Sequence, residues 1–196
     1  MLVTTLEWLG FTSGVACVWL MVKQRTATWP VGIVNSASWL ALFWVSKIYL
    51  NSLLQIVYIV LGVYGWWYWV RERRARADNL PVRRVTRVEL ATLAVVAAAS
   101  TAILTWVTAN QTDSVVPFWD ASTVVVSILA TYLQAKKVYE SWFLWLSVDV
   151  VYLVLYSTQD LYLTALTQVV FGALCTQGLR EWRASMRERA METATA

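Results

Sequence analysis

Residues 142–149 read WFLWLSVD, two tryptophans and a carboxylate within an otherwise apolar stretch. At helical spacing, Trp145 and Asp149 lie about 300° and about 700° around the axis from Trp142, so the three side chains share one face. An ionised carboxylate near the centre of a membrane-spanning helix costs roughly 2.5–3.5 kcal/mol, and such a group usually faces a cavity or a partner. The stretch therefore predicts an aromatic, acidic helix face that lines a substrate path.

The composition of the whole chain predicts that this face lies in a membrane. Of the 196 residues, 59% are hydrophobic and 14% are charged, and the mean hydropathy is +0.54. So apolar a chain cannot bury its hydrophobic side chains in one globular core and keep an ordinary polar surface. The N-terminus lacks a basic region and carries Glu7, so it reads as a first span rather than a cleaved signal peptide. We predict an all-α integral membrane protein.

Apolar segments of roughly spanning length follow one another along the chain. They predict seven transmembrane helices, at about 4–22, 29–46, 50–70, 88–108, 117–135, 139–157 and 160–179. Of the 16 Lys and Arg residues, all except Lys47 fall in the connections on one side. Because basic residues favour the cytoplasmic side, we expect the N-terminus outside and the C-terminus in the cytoplasm. The net charge of +4 then reflects topology and contact with the lipid bilayer, and no nucleic acid partner is expected.

The chain also carries an internal repeat. A shift of 113 residues without gaps aligns Lys23 with Lys136, Trp29 with Trp142, Gln55 with Gln168, Gly65 with Gly178, and Trp69 with Trp182. Spans one to three and five to seven read as two copies in the same orientation, with span four between them. This 3+1+3 parallel repeat is a transporter architecture that holds substrate between its halves.

The repeat sets the expected domain organisation. The first three-helix bundle covers residues 1–70, and a basic linker with the connecting helix covers 71–108. The second three-helix bundle covers 109–182, and a cytoplasmic tail covers 183–196. The tail is polar from Met186 and ends ETATA, so we expect it to fray.

Polar side chains inside the spans are further candidates for substrate contacts. Besides Asp149 they are Asn35, Asn51, Gln55, Asp120 and Gln168. Asn and Gln within membrane helices also serve as hydrogen-bonding glue between helices, so a structural role stays open for each of them. A carboxylate near a helix N-terminus, such as Asp120, also suits a cap.

Several classes of function are disfavoured by what the chain contains. It has no histidine, which excludes imidazole-based catalysis and most zinc sites. Cys17 and Cys175 each lie within apolar runs and read as packing residues. We expect no enzyme activity, no metal and no cofactor. An ion-coupled transporter, in which Asp149 or Asp120 takes up a proton or sodium, stays an alternative, as does a structural or signalling membrane protein.

Three stretches of the chain resemble the PnuC family of vitamin transporters. They are WPVGIVNSASWLALFWVSKIYLNSLLQIVYIVLGVYGWWYW at 29–69, DSVVPFWDASTVVVSILATYL at 113–133, and the WxxWxxxD face. The resemblance runs from about Leu6 to Trp182. It implies a SWEET-like seven-helix core, a homotrimer, and facilitated diffusion of nicotinamide riboside across the bacterial inner membrane. A cytoplasmic kinase would then trap the nucleoside by phosphorylation, and relatives carry riboflavin or thiamine.

By position, the resemblance implies that Trp142, Trp145 and Asp149 bind the substrate. Many nicotinamide riboside carriers have Asn at the third place, so the Asp here keeps riboflavin open as an alternative. A tryptophan can stack on either heteroaromatic ring, and the pyridinium of nicotinamide riboside adds roughly 0.5–2 kcal/mol of cation–π attraction. A carboxylate also favours a cation over neutral riboflavin, which makes nicotinamide riboside the predicted substrate.

Overall fold

A computed structural model of the chain describes residues 2–47, 49–76, 80–112, 116–158, 160 and 162–195. In these ranges it forms seven helices: α1 (Leu2–Val22), α2 (Thr28–Val45), α3 (Tyr49–Arg76), α4 (Arg87–Gln111), α5 (Pro117–Ala135), α6 (Ser141–Thr158) and α7 (Tyr162–Thr195). The predicted all-α fold is confirmed.

Four of the described helices are long and apolar enough to cross a membrane. These segments are Thr5–Val22, Asn51–Ala75, Arg87–Gln111 and Ser141–Thr158, in α1, α3, α4 and α6. The other three helices also contain polar side chains, among them Asn35 and Ser36 in α2, Asp120 and Thr123 in α5, and Gln168 in α7. A hydropathy criterion penalises such residues, which polar paths through a membrane also require.

Four turns between consecutive helices place a non-glycine residue at positive φ. These residues are Gln24 (54°), Lys47 (62°), Lys137 (50°) and Asp160 (58°). Gln24 and Lys137 are separated by 113 positions, as are Lys47 and Asp160. The turns after α1 and α5 also share a helix-ending hydrogen bond, Arg25 N to Leu20 O and Val138 N to Leu133 O, both 2.9 Å. The backbone thus has the same shape at places that the repeat aligns.

Tryptophan packing also matches at aligned positions. The Trp29 and Trp69 rings meet edge to face at 5.5 Å and 86°, and the Trp142 and Trp182 rings at 5.4 Å and 86°. Trp142 lies directly on the backbone of α7, because a Cβ added at Gly178 would come within 2.5–2.6 Å of its ring. Only glycine allows that approach without displacing the ring.

The buried core lies at the end of the molecule that carries most of the Lys and Arg side chains, here termed the basic end. There α1, α3, α5 and α7 end and α2, α4 and α6 begin. The core consists of Met21, Val22, Trp29, Trp69, Leu80, Val82, Ala135, Tyr139, Trp142, Cys175 and Trp182. Burial of aromatic rings at this end holds the first three helices against the last three.

The described part of the basic linker packs onto this core. Leu80 and Val82 are buried, and Arg83 forms a β-bridge with Val138. Arg83 also makes a two-pronged ion pair with Glu89, with both N–O distances 2.7 Å, and this hydrogen bonding raises the pKa of Arg83. Thr86 and Glu89 form a capping box that starts α4.

α4 and α7 differ from the other helices in position and in length. α4 buries none of its residues and packs against α5, so it lies at the periphery. α7 has 34 residues and is helical to Thr195, through the tail that we expect to fray. At 1.5 Å per residue α7 measures about 51 Å, well beyond the roughly 30 Å of a bilayer core.

Candidate functional site

The predicted aromatic and acidic face lies on α6 and packs toward α7. Trp142 is fully buried against Gly178 and Trp182 of α7, and Asp149 contacts Cys175 of the same helix. Trp145 is half-buried between them along α6 and packs against the core. The face is therefore formed as expected, but its three members lie in different environments.

Asp149 is a buried carboxylate that accepts a hydrogen bond from a weak donor, a thiol. Its side chain is 7% exposed, and the Cys175 thiol donates to Oδ2 at 3.4 Å. The ion pairs between described residues are Lys23–Glu181 and Arg83–Glu89, so none of them supplies Asp149 with a cation. Because a buried charge without a counter-charge is costly, this environment favours binding of a cation or a proton.

Trp145 has an indole N–H that is buried and without a hydrogen-bond partner in the part of the chain that the structure describes. Buried N–H groups usually have a partner, so an unpaired one is a place where a ligand can bind. The indole N–H groups of Trp29 and Trp142 are also unpaired. These two rings pack in the same way at aligned positions, which indicates a structural role for Trp142.

The repeat separates shared features from features of one copy. At the shift of 113 residues, Trp142 aligns with Trp29, but Trp145 aligns with Gly32 and Asp149 with Ser36. A tryptophan and a carboxylate at these two positions therefore occur only in the second of the two aligned segments. This difference distinguishes Trp145 and Asp149 from residues that build the common three-helix unit.

Among the other predicted residues, Asn35 joins α2 to α1. Its amide donates to the Gly10 carbonyl and to Ser13 Oγ, the latter at 3.2 Å. Gln168 donates to its neighbour Thr167 at 3.4 Å, and Gln55 is half-buried. None of these contacts reaches Asp149. For Asn35, the observed contacts match the interhelical role that the sequence left open.

Asp120 lies in the first turn of α5, away from the basic end. It interacts electrostatically with Tyr152 and Tyr156 of α6, whose rings stack at 5.5 Å. Along α6, Tyr152 lies about 4.5 Å and Tyr156 roughly 10 Å beyond Asp149. Asp120 of α5 therefore faces a pair of tyrosines that begins within one turn of Asp149.

Contacts between the first three and last three helices continue away from the basic end. Tyr58 of α3 interacts with Ser127 of α5. At the aligned positions, Phe171 of α7 approaches Gly14 of α1, with its Cζ 3.7 Å from the place that a Cβ on Gly14 would occupy.

Sequence reasoning also missed Cys175 as a partner of Asp149. It read this cysteine as a packing residue, and the structure confirms that it is buried. The repeat alignment could have indicated it, because Cys175 aligns with Gly62 and so differs in chemistry from its counterpart. Trp145, Asp149 and Cys175 thus lie close together, and each differs in chemistry from the residue at its aligned position.

Surface grooves lie elsewhere on the molecule. One is lined by Ala37, Leu40, Ala41, Trp44, Val45 and Ile56. The other is lined by Trp67, Val70, Arg71, Arg74 and Ala75. Neither groove includes Trp145 or Asp149, so neither of them opens onto this pair in the conformation described.

Comparison with known proteins places the chain among vitamin transporters. The family model described as "Nicotinamide mononucleotide transporter" matches residues 4–184. The nicotinamide riboside transporter PnuC of Escherichia coli K12 is 26% identical over 209 residues, covering 94% of this chain and 87% of that protein. The riboflavin/roseoflavin transporter RibM of Streptomyces davaonensis is 31% identical over 178 residues, covering 90% and 83%.

A solved structure gives the same result for the fold. The crystal structure of the vitamin B3 transporter PnuC matches with a TM-score of 0.74 at 18% identity, covering 94% of this chain and 83% of that chain. The family match spans most of the chain, and the chain covers more than four fifths of each of these relatives. This multi-pass membrane protein therefore belongs to the nicotinamide mononucleotide transporter family, the vitamin transporters that include PnuC and RibM.

Proposed function

We propose that this protein carries nicotinamide riboside across the bacterial inner membrane by facilitated diffusion, and that a cytoplasmic kinase then traps the nucleoside by phosphorylation. The observation that carries this proposal is the buried Asp149 carboxylate, one helical turn from the unpaired indole N–H of Trp145. The nicotinamide ring of this substrate is a flat cation. It would supply a positive charge next to the Asp149 carboxylate and a surface on which Trp145 stacks.

The remaining predicted residues take supporting roles in this proposal. Trp142 holds α6 against α7 and so fixes the height of Trp145 and Asp149. Gln55, Gln168 and Asn35 are available to hydrogen-bond the ribose hydroxyls when the helices separate, although Asn35 would first leave Gly10 and Ser13. Asp120 of α5 lies beside Tyr152 and Tyr156 of α6 and would meet the substrate before or after Asp149 on its path.

Transport would proceed by alternating access of two halves, α1–α3 and α5–α7, in a SWEET-like 3+1+3 arrangement of seven spans. Matching contacts across the halves support this. Trp69 Nε1 donates to the Ala135 carbonyl at 3.0 Å, and Trp182 Nε1 donates to the Met21 carbonyl at 3.2 Å. The two acceptor carbonyls lie at the ends of α5 and α1, so each half donates one hydrogen bond to the other at the basic end.

The basic end would face the cytoplasm, with the N-terminus outside, because Lys and Arg concentrate there. The conformation described would then be closed toward the cytoplasm, and release of substrate would require the two tryptophan hydrogen bonds to break. The homotrimer implied by the family resemblance belongs to the proposal as well, with one substrate path in each protomer.

Riboflavin is the second candidate substrate. The 31% identity to RibM exceeds the 26% identity to PnuC of Escherichia coli, and this observation favours the riboflavin branch. Riboflavin is also a flat heteroaromatic molecule with polyol hydroxyls, so Trp145 could stack on it equally well. Its ring is neutral, however, and would leave Asp149 without a counter-charge.

Uptake into liposomes tests the proposal and its alternatives. Purified protein in proteoliposomes is expected to exchange radiolabelled nicotinamide riboside with unlabelled compound trapped inside. Exchange that persists after collapse of proton and sodium gradients excludes obligatory ion coupling. Exchange of riboflavin alone moves the protein to the second substrate, and absence of flux for both vitamins contradicts transport of either.

A further inference from the structure

The groove at the basic end of α3 is a second place on this molecule where a ligand can bind, separate from the vitamin path. Its walls are Trp67, Val70, Arg71, Arg74 and Ala75. Positions 67, 71 and 74 follow one another at helical spacing, so their side chains form one stripe. The stripe combines an aromatic ring, small apolar side chains and two guanidinium groups.

The charged side chains in the groove are exposed. Arg71 and Arg74 are both exposed, and the ion pairs between described residues involve neither of them. The Arg71 guanidinium lies 5.2 Å from the centre of the Trp67 ring, which is 53% exposed. A cation–π contact of this kind orients a guanidinium while leaving its N–H groups free to bind an anion.

The depth of the groove fits the level of lipid head groups. From Tyr49 at the start of α3, Trp67 lies about 27 Å and Arg71 about 33 Å along the axis. The hydrocarbon core of a bilayer is about 30 Å thick, so the ring falls at the edge of the acyl chains and the guanidinium groups just outside. On the proposed topology this edge is the cytoplasmic leaflet, where anionic lipids attract basic segments.

We propose that this groove binds the head group of an anionic phospholipid. The Arg71 and Arg74 guanidinium groups would bind the phosphate oxygens, since Arg offers two parallel N–H donors to a phosphate. Trp67, Val70 and Ala75 would contact the upper part of an acyl chain. The partner is a lipid rather than free phosphate, because apolar residues form most of the groove.

The test compares wild type and two double variants in detergent, with phosphatidylglycerol or phosphatidylcholine added. Native mass spectrometry counts the bound lipid molecules, and thermal unfolding measures the stability of each protein. The groove variant is R71Q/R74Q. The matched control is R183Q/R187Q, which removes two exposed arginines from α7 at the same end of the molecule. Equal elution profiles and helix content establish that all three proteins are folded.

Wild type and the control are expected to bind phosphatidylglycerol in preference to phosphatidylcholine and to gain thermal stability with it. The groove variant should lose about tenfold or more in affinity for phosphatidylglycerol. Equal affinity in all three proteins would overturn the proposal. Equal stabilisation of wild type by inorganic phosphate alone would also overturn it, since the site would then recognise a free anion. If the groove variant does not fold, the lipid preference of wild type is the test. Equal binding of phosphatidylglycerol and phosphatidylcholine by wild type contradicts the proposed site.

Discussion

Lys137 Nζ donates a hydrogen bond to Gln24 Oε1 at 2.9 Å, and the two residues occupy equivalent positions in the repeat, 113 residues apart. Both have positive φ at the turn that follows the first helix of their unit. Lys137 is 1% exposed and also lies 4.5 Å from the centre of the Trp69 ring. The turn after α5 therefore contacts the turn after α1 at the basic end.

Replacing Lys137 by methionine is expected to weaken this junction. The variant keeps the length of the side chain but leaves Gln24 without its donor, and loss of a buried hydrogen bond to a charged group costs about 1.5–3 kcal/mol. The thermal midpoint of the detergent-solubilised protein should fall. Lys47→Met is the control, because Lys47 also has positive φ in a turn but lies at the opposite end. Equal effects in the two variants would show that the Lys137–Gln24 bond has no special role.

Trp145→Ala and Trp142→Ala should have opposite consequences. Trp145→Ala should weaken substrate binding by about 1–3 kcal/mol, the scale of base stacking on aromatic side chains, with a smaller loss of stability. Trp142→Ala removes a fully buried ring and should cost about 3–5 kcal/mol of stability. Binding titrations and thermal unfolding on the same samples separate the two effects. Unchanged binding in Trp145→Ala would assign that ring to the core as well.

Asp149→Asn should discriminate between the two candidate vitamins. The amide keeps the shape of the side chain and removes its charge, so affinity for the cationic nicotinamide riboside should fall about tenfold, or about 1.4 kcal/mol. Riboflavin, which is neutral, should bind with little change. If the variant binds nicotinamide riboside as tightly as wild type, the carboxylate acts only as a hydrogen-bond acceptor and the charge argument fails.

Gly178→Ala should destabilise the protein because the new Cβ would meet the Trp142 ring at 2.5–2.6 Å. Overpacking of this kind typically costs about 1–3 kcal/mol. Gly172→Ala on the same helix is the control, since its Cβ would make an ordinary contact at 3.6 Å with Leu146. Alanine also favours helix over glycine, so the control should be neutral or slightly stabilising. A neutral Gly178→Ala would mean that the Trp142 ring can move aside.

The helices themselves were predictable because apolar run length and turn residues specify them. The segment expected at 117–135 is α5, Pro117–Ala135, and the segment expected at 139–157 is α6, Ser141–Thr158. α3 continues to Arg76, beyond the expected end near residue 70. Charged residues can continue a helix once it has left the apolar layer, so hydropathy alone places its end too early.

The burial of individual side chains and their contacts with residues distant in sequence were not predictable. Lys137 follows Lys136 in a basic turn, which is typical of an exposed loop, yet it is buried. Its partner Gln24 is too far away in sequence for any local pattern to connect them. Similarly, helical spacing put Trp142 and Trp145 on one face but could not tell which ring packs against α7. That depends on Gly178, which only the folded arrangement brings underneath Trp142.

Quenching of tryptophan fluorescence by nicotinamide riboside and by riboflavin, measured on wild type, Trp145→Ala and Asp149→Asn in parallel, tests both the substrate and the site. We expect saturable quenching of wild type by nicotinamide riboside, and weaker binding of this vitamin in both variants. Tight riboflavin binding with no response to nicotinamide riboside would contradict the proposed substrate. Nicotinamide riboside binding that is unchanged in both variants would contradict the proposed site.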